Sequence, residues 1–111
     1  MSFKTRQSGE ILTFTIKDKR ATVDISANFK EQINVEIEKG SFKIIIDMGN
    51  VEYVDSSFLG ALVACLKRAT MKNGDLKLVS LQPPVRAMFG LTRLHKIFDI
   101  YDTLEEAANT F

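Results

Sequence analysis

Few side chains in this sequence have both a type and a position suited to chemistry. The one histidine, His95, stands between Leu94 and Lys96 with no adjacent carboxylate or thiol. It lacks the partner that a general base or a metal site uses, and reads as surface or half-buried filler. The one cysteine, Cys65, falls within the longest apolar run, Phe58 to Leu66, where a thiol serves as a small buried hydrophobe rather than a nucleophile. A lone cysteine forms no internal disulfide, which fits a reducing compartment and a cytoplasmic location. The six glycines are scattered and form no phosphate-cradling loop. Asp47 and Asp55 flank a loop that follows an apolar strand, the place where parallel sheets present ligands. Two carboxylates in a loop are weak evidence for a metal site and read first as turn and cap residues. No metal, no cofactor and no catalytic residue is expected, so the chain reads as a non-enzyme. A small-molecule or catalytic domain built on Asp47 and Asp55 is the competing reading from another class.

The segment with the most chemical content is Val54-Asp-Ser-Ser-Phe-Leu-Gly60. Asp55 or Ser56 suits a helix N-cap, whose side-chain oxygen accepts from the first free amides. Taken in isolation the segment reads as a helix cap, and a functional reading needs support from outside it.

The elements that would position this segment follow from periodicity. Phe3 to Ile16 reads as two strands around the turn Ser8-Gly9-Glu10, with apolar residues at 12, 14 and 16 alternating with threonines. Ala21 to Ile25 is ambiguous. Phe29, Ile33 and Ile37 then recur at helical spacing, with Ser26, or Asn28 together with Glu31, as the candidate cap and Gly40 as the stop. Phe42 to Asp47 contains three consecutive isoleucines, the mark of a central strand covered on both faces. Met48 to Val54 reads as a loop, residues 56 to 72 as a long helix with cations near its end, and residues 75 to 80 as the next strand. Pro83-Pro84 opens a short helix closed by Gly90, Phe98 to Tyr101 is a short strand, and Thr103 with Glu106 forms a capping box for a last helix.

The order β-β-α-β-α-β-α-β-α describes one α/β domain over residues 1–111, with a mixed sheet of four to five strands and about four helices. At 111 residues and 45% hydrophobic composition, such a chain buries roughly two-thirds of its unfolded surface and needs no staples. Fifteen basic against fourteen acidic residues leave a net charge of +1 and no basic stripe, which argues against direct contact with nucleic acid. The run Phe58 to Leu66 is about half a membrane span, so membrane insertion is not expected, and Met1 to Arg6 lacks an apolar signal core.

The stretch from Ile44 to Leu62, an apolar strand ending in Asp47, a short loop and then Asp55-Ser-Ser-Phe-Leu-Gly60, resembles the STAS domain family, in particular the bacterial anti-sigma factor antagonists. Phe29 to Ile33 is similar to the family's first helix, Gly74 to Val79 to its next strand, Pro84 to Leu94 with Lys96 to Ile100 to its third helix and final strand, and Thr103 to Ala107 to its last helix.

The resemblance implies a protein-interaction module that, unmodified, binds an anti-sigma factor with serine kinase activity and so releases a sigma factor. It further implies phosphorylation of Ser56, with Ser57 the second candidate, and resetting by a serine phosphatase. Asp55, Ser56, Ser57, Phe58 and Asp24 are then the candidate partner-binding residues. A STAS subunit of another assembly, such as a lipid-transport or signalling complex with Ser56 unmodified, is the alternative. The chain departs from the family pattern twice. Phe58 stands where the family has glycine, pointing either inward as core or outward beside Ser56. Lys19 to Thr22 lacks the family's glycine and aspartate, for which Asp24 is the candidate substitute.

Overall fold

The computed structural model describes residues 3–111; Met1 and Ser2, part of the segment read as lacking a signal core, lie outside the described residues. In chain order the elements are β1 (Phe3–Ser8), β2 (Ile11–Ile16), β3 (Arg20–Ala21), α1 (Val23–Glu38), β4 (Lys43–Asp47), β5 (Tyr53–Val54), α2 (Ser56–Met71), β6 (Asp75–Val79), α3 (Pro83–Leu91), a 3-10 turn (Leu94–Lys96), β7 (Ile100–Tyr101) and α4 (Leu104–Ala108). β1 and β2 form the expected antiparallel hairpin, with Phe3 opposite Ile16 and Ser8 opposite Ile11. β2, β4, β6 and β7 then run parallel, giving a mixed five-stranded sheet ordered β1-β2-β4-β6-β7.

Helices cover the two faces unequally. Phe14, Ile16, Ile44, Ile46, Leu76 and Leu78 face α1, α2 and α3 and build the main core. Ile45 and Val79 lie on the opposite face under Ala107 of the short α4, with Ile11, Tyr101 and Phe111 around them. This two-sided cover is why Ile44, Ile45 and Ile46 are all fully buried. One charged group belongs to the second face. Lys77 is only 5% exposed; its Nζ donates to Asp99 Oδ2 at 3.1 Å, sits 3.5 Å from Asp75 Oδ2, and lies 4.9 Å from the centre of the Phe111 ring.

Four sequence expectations shift. α1 begins at Val23, so Ser26, Asn28 and Glu31 lie inside the helix instead of capping it, and Ser26 Oγ donates to the Thr22 carbonyl at 2.8 Å. The stretch left ambiguous and the loop before α2 each supply a two-residue strand, β3 and β5, which pair in parallel as Arg20↔Tyr53 and Ala21↔Val54. α3 runs past Gly90 to Leu91, and the left-handed position falls on Arg93 at φ 63°. The last strand starts at Ile100, not Phe98. The preceding 3-10 turn tucks Phe98 beneath α3, where its ring meets Phe89 edge-on at 5.9 Å. Just past α2, Gly74 leaves no room for a side chain: a Cβ there would collide with the carbonyl of Phe42.

Candidate functional site

The loop that leads to the serine motif leaves the carboxyl end of β4 and is tied down at several points. Asp47 Oδ1 accepts from Gly49 N at 2.9 Å and turns the chain. Gln82 Nε2 donates to Gly49 O at 2.8 Å, and Asn50 Nδ2 reaches Ile16 O at 3.4 Å. Met48 and Val51 are fully buried below. Beyond them Glu52 N donates to Lys19 O at 2.7 Å, and the β3–β5 pair joins this loop to the segment before α1. Arg20 lays its guanidinium 4.5 Å from the centre of the half-exposed Tyr53 ring.

Asp55 is the N-cap of α2, and its carboxylate serves two helices. Oδ1 accepts from Phe58 N at 2.9 Å, satisfying a free amide in the first turn of α2. Oδ2 accepts from Val23 N, also at 2.9 Å, the first residue of α1 and 32 positions earlier in the chain. The side chain of Thr22, the N-cap residue of α1, makes no capping bond, so Asp55 does from outside what Thr22 does not. The two helix starts are thereby held side by side.

Ser56, the first residue of α2, and Ser57 are both exposed, as is Asp24 in the first turn of α1, where a negative charge suits the helix dipole. These candidate residues therefore stand around the one corner that Asp55 fastens. Phe58 does not join them on the surface. It is fully buried, its ring 4.8 Å from that of Phe29, and it completes a chain of rings running through Phe14 to Phe3. Its reading as a partner contact is corrected. The first turn of α2 faces α1 here, and Phe58 packs into the core against Phe29 of that helix.

The remaining chemistry-bearing groups lie elsewhere. Cys65 is fully buried, and burial pushes its thiol pKa up from 9.0 to about 12. His95 is exposed, with Nδ1 3.2 Å from Phe89 O. The carboxylates of Asp47 and Asp55 are engaged by amides of their own chain. Among the described residues no three His, Cys, Asp or Glu side chains are grouped as a metal ion would need. Sequence reasoning missed Val23, Arg20 and Tyr53 as members of this corner. A two-residue strand has no period to detect, and no local signal pairs residues more than thirty positions apart.

A mixed sheet with its long helices on one face presents the exposed start of α2 at this corner. The STAS domain model matches residues 2–107, and the chain belongs to the STAS domain family. It is 35% identical over 91 residues to a Thermotoga maritima protein provisionally named an anti-sigma factor antagonist, covering 81% of this chain and 80% of that one. Its fold matches the crystal structure of a Thermotoga maritima protein of the same provisional description with a TM-score of 0.88 at 29% identity, over 97% of this chain and 92% of that one. The Bacillus cell fate determinant SpoIIAA, solved in its phosphorylated form, shares the fold with a TM-score of 0.75 at 19% identity, over 97% of both chains. No helix among the described residues is long and apolar enough to cross a membrane.

Proposed function

We propose that this chain is an anti-sigma factor antagonist whose hold on its partner is set by the phosphorylation state of Ser56. The observation that carries the reading is the placement of Ser56: exposed, on the first residue of a long helix whose cap is already supplied by its neighbour Asp55. The hydroxyl is thus free for modification without removing the helix cap. The names of the chain's relatives, and a fold neighbour solved in phosphorylated form, support the same reading.

In this scheme the unmodified protein binds an anti-sigma factor that is also a serine kinase, freeing the sigma factor in the cytoplasm. The kinase transfers the γ-phosphoryl group of ATP to Ser56 Oγ. An O–P bond forms, the bond to the ADP oxygen breaks, and the hydroxyl proton passes to a base on the kinase or to water. A serine phosphatase reverses the step by hydrolysis, releasing inorganic phosphate. The chain itself acts by binding, through Ser56, Ser57 and Asp24 around Asp55. The new group adds about −1.5 to −2 charges at a helix start that accommodates anions, so the fold survives, whereas an apposed partner must desolvate that charge beside Asp55. A loss of about 3 kcal/mol weakens binding about a hundredfold.

The test is incubation with ATP and the kinase encoded nearest to it, with mass mapping of the product and titration of wild type, Ser56→Ala and Ser56→Asp against that kinase. One phosphoryl group on Ser56, and an Asp variant that folds but binds about a hundredfold more weakly, are expected. Transfer to Ser57 instead, or an Asp variant that binds as wild type does, sinks the assignment of Ser56. A kinase that binds and modifies neither serine supports a STAS subunit of a different assembly.

A further inference from the structure

We infer that Asp55 carries the state of Ser56 across to helix α1: a phosphoryl group on Ser56 displaces the Asp55 carboxylate from Val23 N and releases the first turn of α1. This rests on the reading of Ser56 as the phosphoacceptor and adds to it a second, remote part of the surface that changes.

The argument begins with how Asp55 is used. Its two oxygens are divided between Phe58 N and Val23 N, each at 2.9 Å. A phosphoryl group on the adjacent residue brings about −1.5 to −2 charges next to a carboxylate. Like-charge repulsion drives the carboxylate off its present seat. Of its two bonds, the one to Phe58 is local, closing a loop of three residues, and re-forms readily after a side-chain rotation. The one to Val23 spans 32 residues and exists only while both helix starts stay in register. It is the bond that yields.

Val23 can lose its partner without harm to the fold. It is 62% exposed, so water replaces the carboxylate at its amide, while Phe29, Ile33 and Ile37 keep the rest of α1 in the core. What changes is local: the first turn of α1, carrying Val23 and Asp24, gains freedom relative to Arg20 and Tyr53. A protein partner that touches both helix starts then meets an altered surface at α1 as well as a charge at Ser56.

The experiment needs no kinase, which separates its failure from failure of the phosphoacceptor reading. Phosphoserine is placed at position 56 during synthesis, and amide exchange is followed by NMR in four proteins: wild type and Asp55→Asn, each with serine or phosphoserine at 56. The Asn side chain has one acceptor oxygen and retains the local bond to Phe58. Phosphoserine in the wild-type background is expected to speed exchange at Val23 about tenfold, as loss of a charge-assisted bond would, while Ile45 in the central strand keeps its protection. Asp55→Asn is expected to show the fast Val23 exchange unmodified and no further change with phosphoserine. Unchanged Val23 exchange on phosphorylation of the wild type overturns the inference. So does an equal acceleration in the Asn background, since the signal would then bypass Asp55. If Asp55→Asn fails to fold, the scalar coupling across the hydrogen bond between Val23 N and the Asp55 carboxyl carbon decides in the wild type alone: it vanishes with phosphoserine if the carboxylate is displaced and persists if it is not.

Discussion

The rings of Phe29 and Phe58 lie 4.8 Å apart at an interplanar angle of 51°, joining the middle of α1 to the first turn of α2. Both are fully buried, and with Phe14 and Phe3 they form the aromatic spine of the larger core. Truncating Phe58 leaves a cavity that the flanking helices cannot close. Phe58→Ala is expected to lose about 3–5 kcal/mol of stability, read as a lower urea midpoint with an unchanged slope. Ser56→Ala, two positions away and exposed, should stay within about 0.5 kcal/mol of wild type. A Phe58→Ala protein as stable as wild type would show that the ring is not core.

Asp55 should be worth more than an ordinary N-cap, because its removal leaves two helix amides without their acceptor. Asp55→Ala is expected to cost about 2 kcal/mol, the upper end of single-cap effects, and Asp55→Asn, which keeps one acceptor, about half of that. Equilibrium unfolding of the three proteins settles the ratio. Equal costs for Ala and Asn would mean that only one of the two bonds matters in solution.

Cys65 makes stability depend on alkaline pH. Its thiol is pushed up to about 12 in the folded chain and titrates near 9 once exposed. Below pH 9 both states hold the proton and the group is silent. Above pH 9 the unfolded state alone loses it, so stability falls by about 1.4 kcal/mol per unit until the folded thiol titrates. Cys65→Ala should flatten that slope. Native labelling by a thiol reagent at pH 8 should be slow and become fast in urea; rapid native labelling would contradict the burial.

Lys77 lies in β6 beneath the C-terminal Phe111. Burial pulls its pKa down, but the hydrogen bond to Asp99 and the nearby Asp75, Asp99 and Tyr101 outweigh that and hold it above the ordinary lysine value. Its contribution is complete below about pH 10.4 and is lost as pH rises through the folded value. Asp75 and Asp99 are both partly exposed and hydrate readily when the ammonium is gone. Lys77→Met is therefore expected to stay within about 1 kcal/mol of wild type at pH 7, because the carboxylates left behind are solvated and the Met side chain fills the same space. Lys77→Glu, which buries a charge between two carboxylates, should unfold the protein at room temperature.

The strong periodic signals were legible in the sequence and the long-range ones were not. Three consecutive isoleucines announced a strand covered on both sides, and Ile44 to Ile46 are buried on two faces. Thr103 and Glu106 announced a capping box, and both of its bonds form, at 3.2 and 3.3 Å. Asp55 was readable as the cap of α2 because cap and amide are three residues apart. Its second role was not, since nothing near Thr22 reveals that the cap of α1 arrives from 32 residues downstream. The same blindness shifted the start of α1 by several residues and left β3 and β5 unseen. At Phe58 residue type alone was neutral between core and surface; only the position of Phe29 on the neighbouring helix decides it.

The rigidity of the Ser56 corner bears on how a modifying enzyme would have to read it. Many kinases thread an extended, floppy segment through a groove, and a short peptide serves them as well as the whole protein. Here the hydroxyl stands on the first residue of a helix, with a buried ring two positions on and a loop pinned by Gln82 and Asn50 behind it. A free peptide spanning residues 50–62 would have neither the bent approach nor the neighbouring helix start. Recognition would thus be of a shape, and a nascent or denatured chain would pass unread until β3, α1 and α2 had come together.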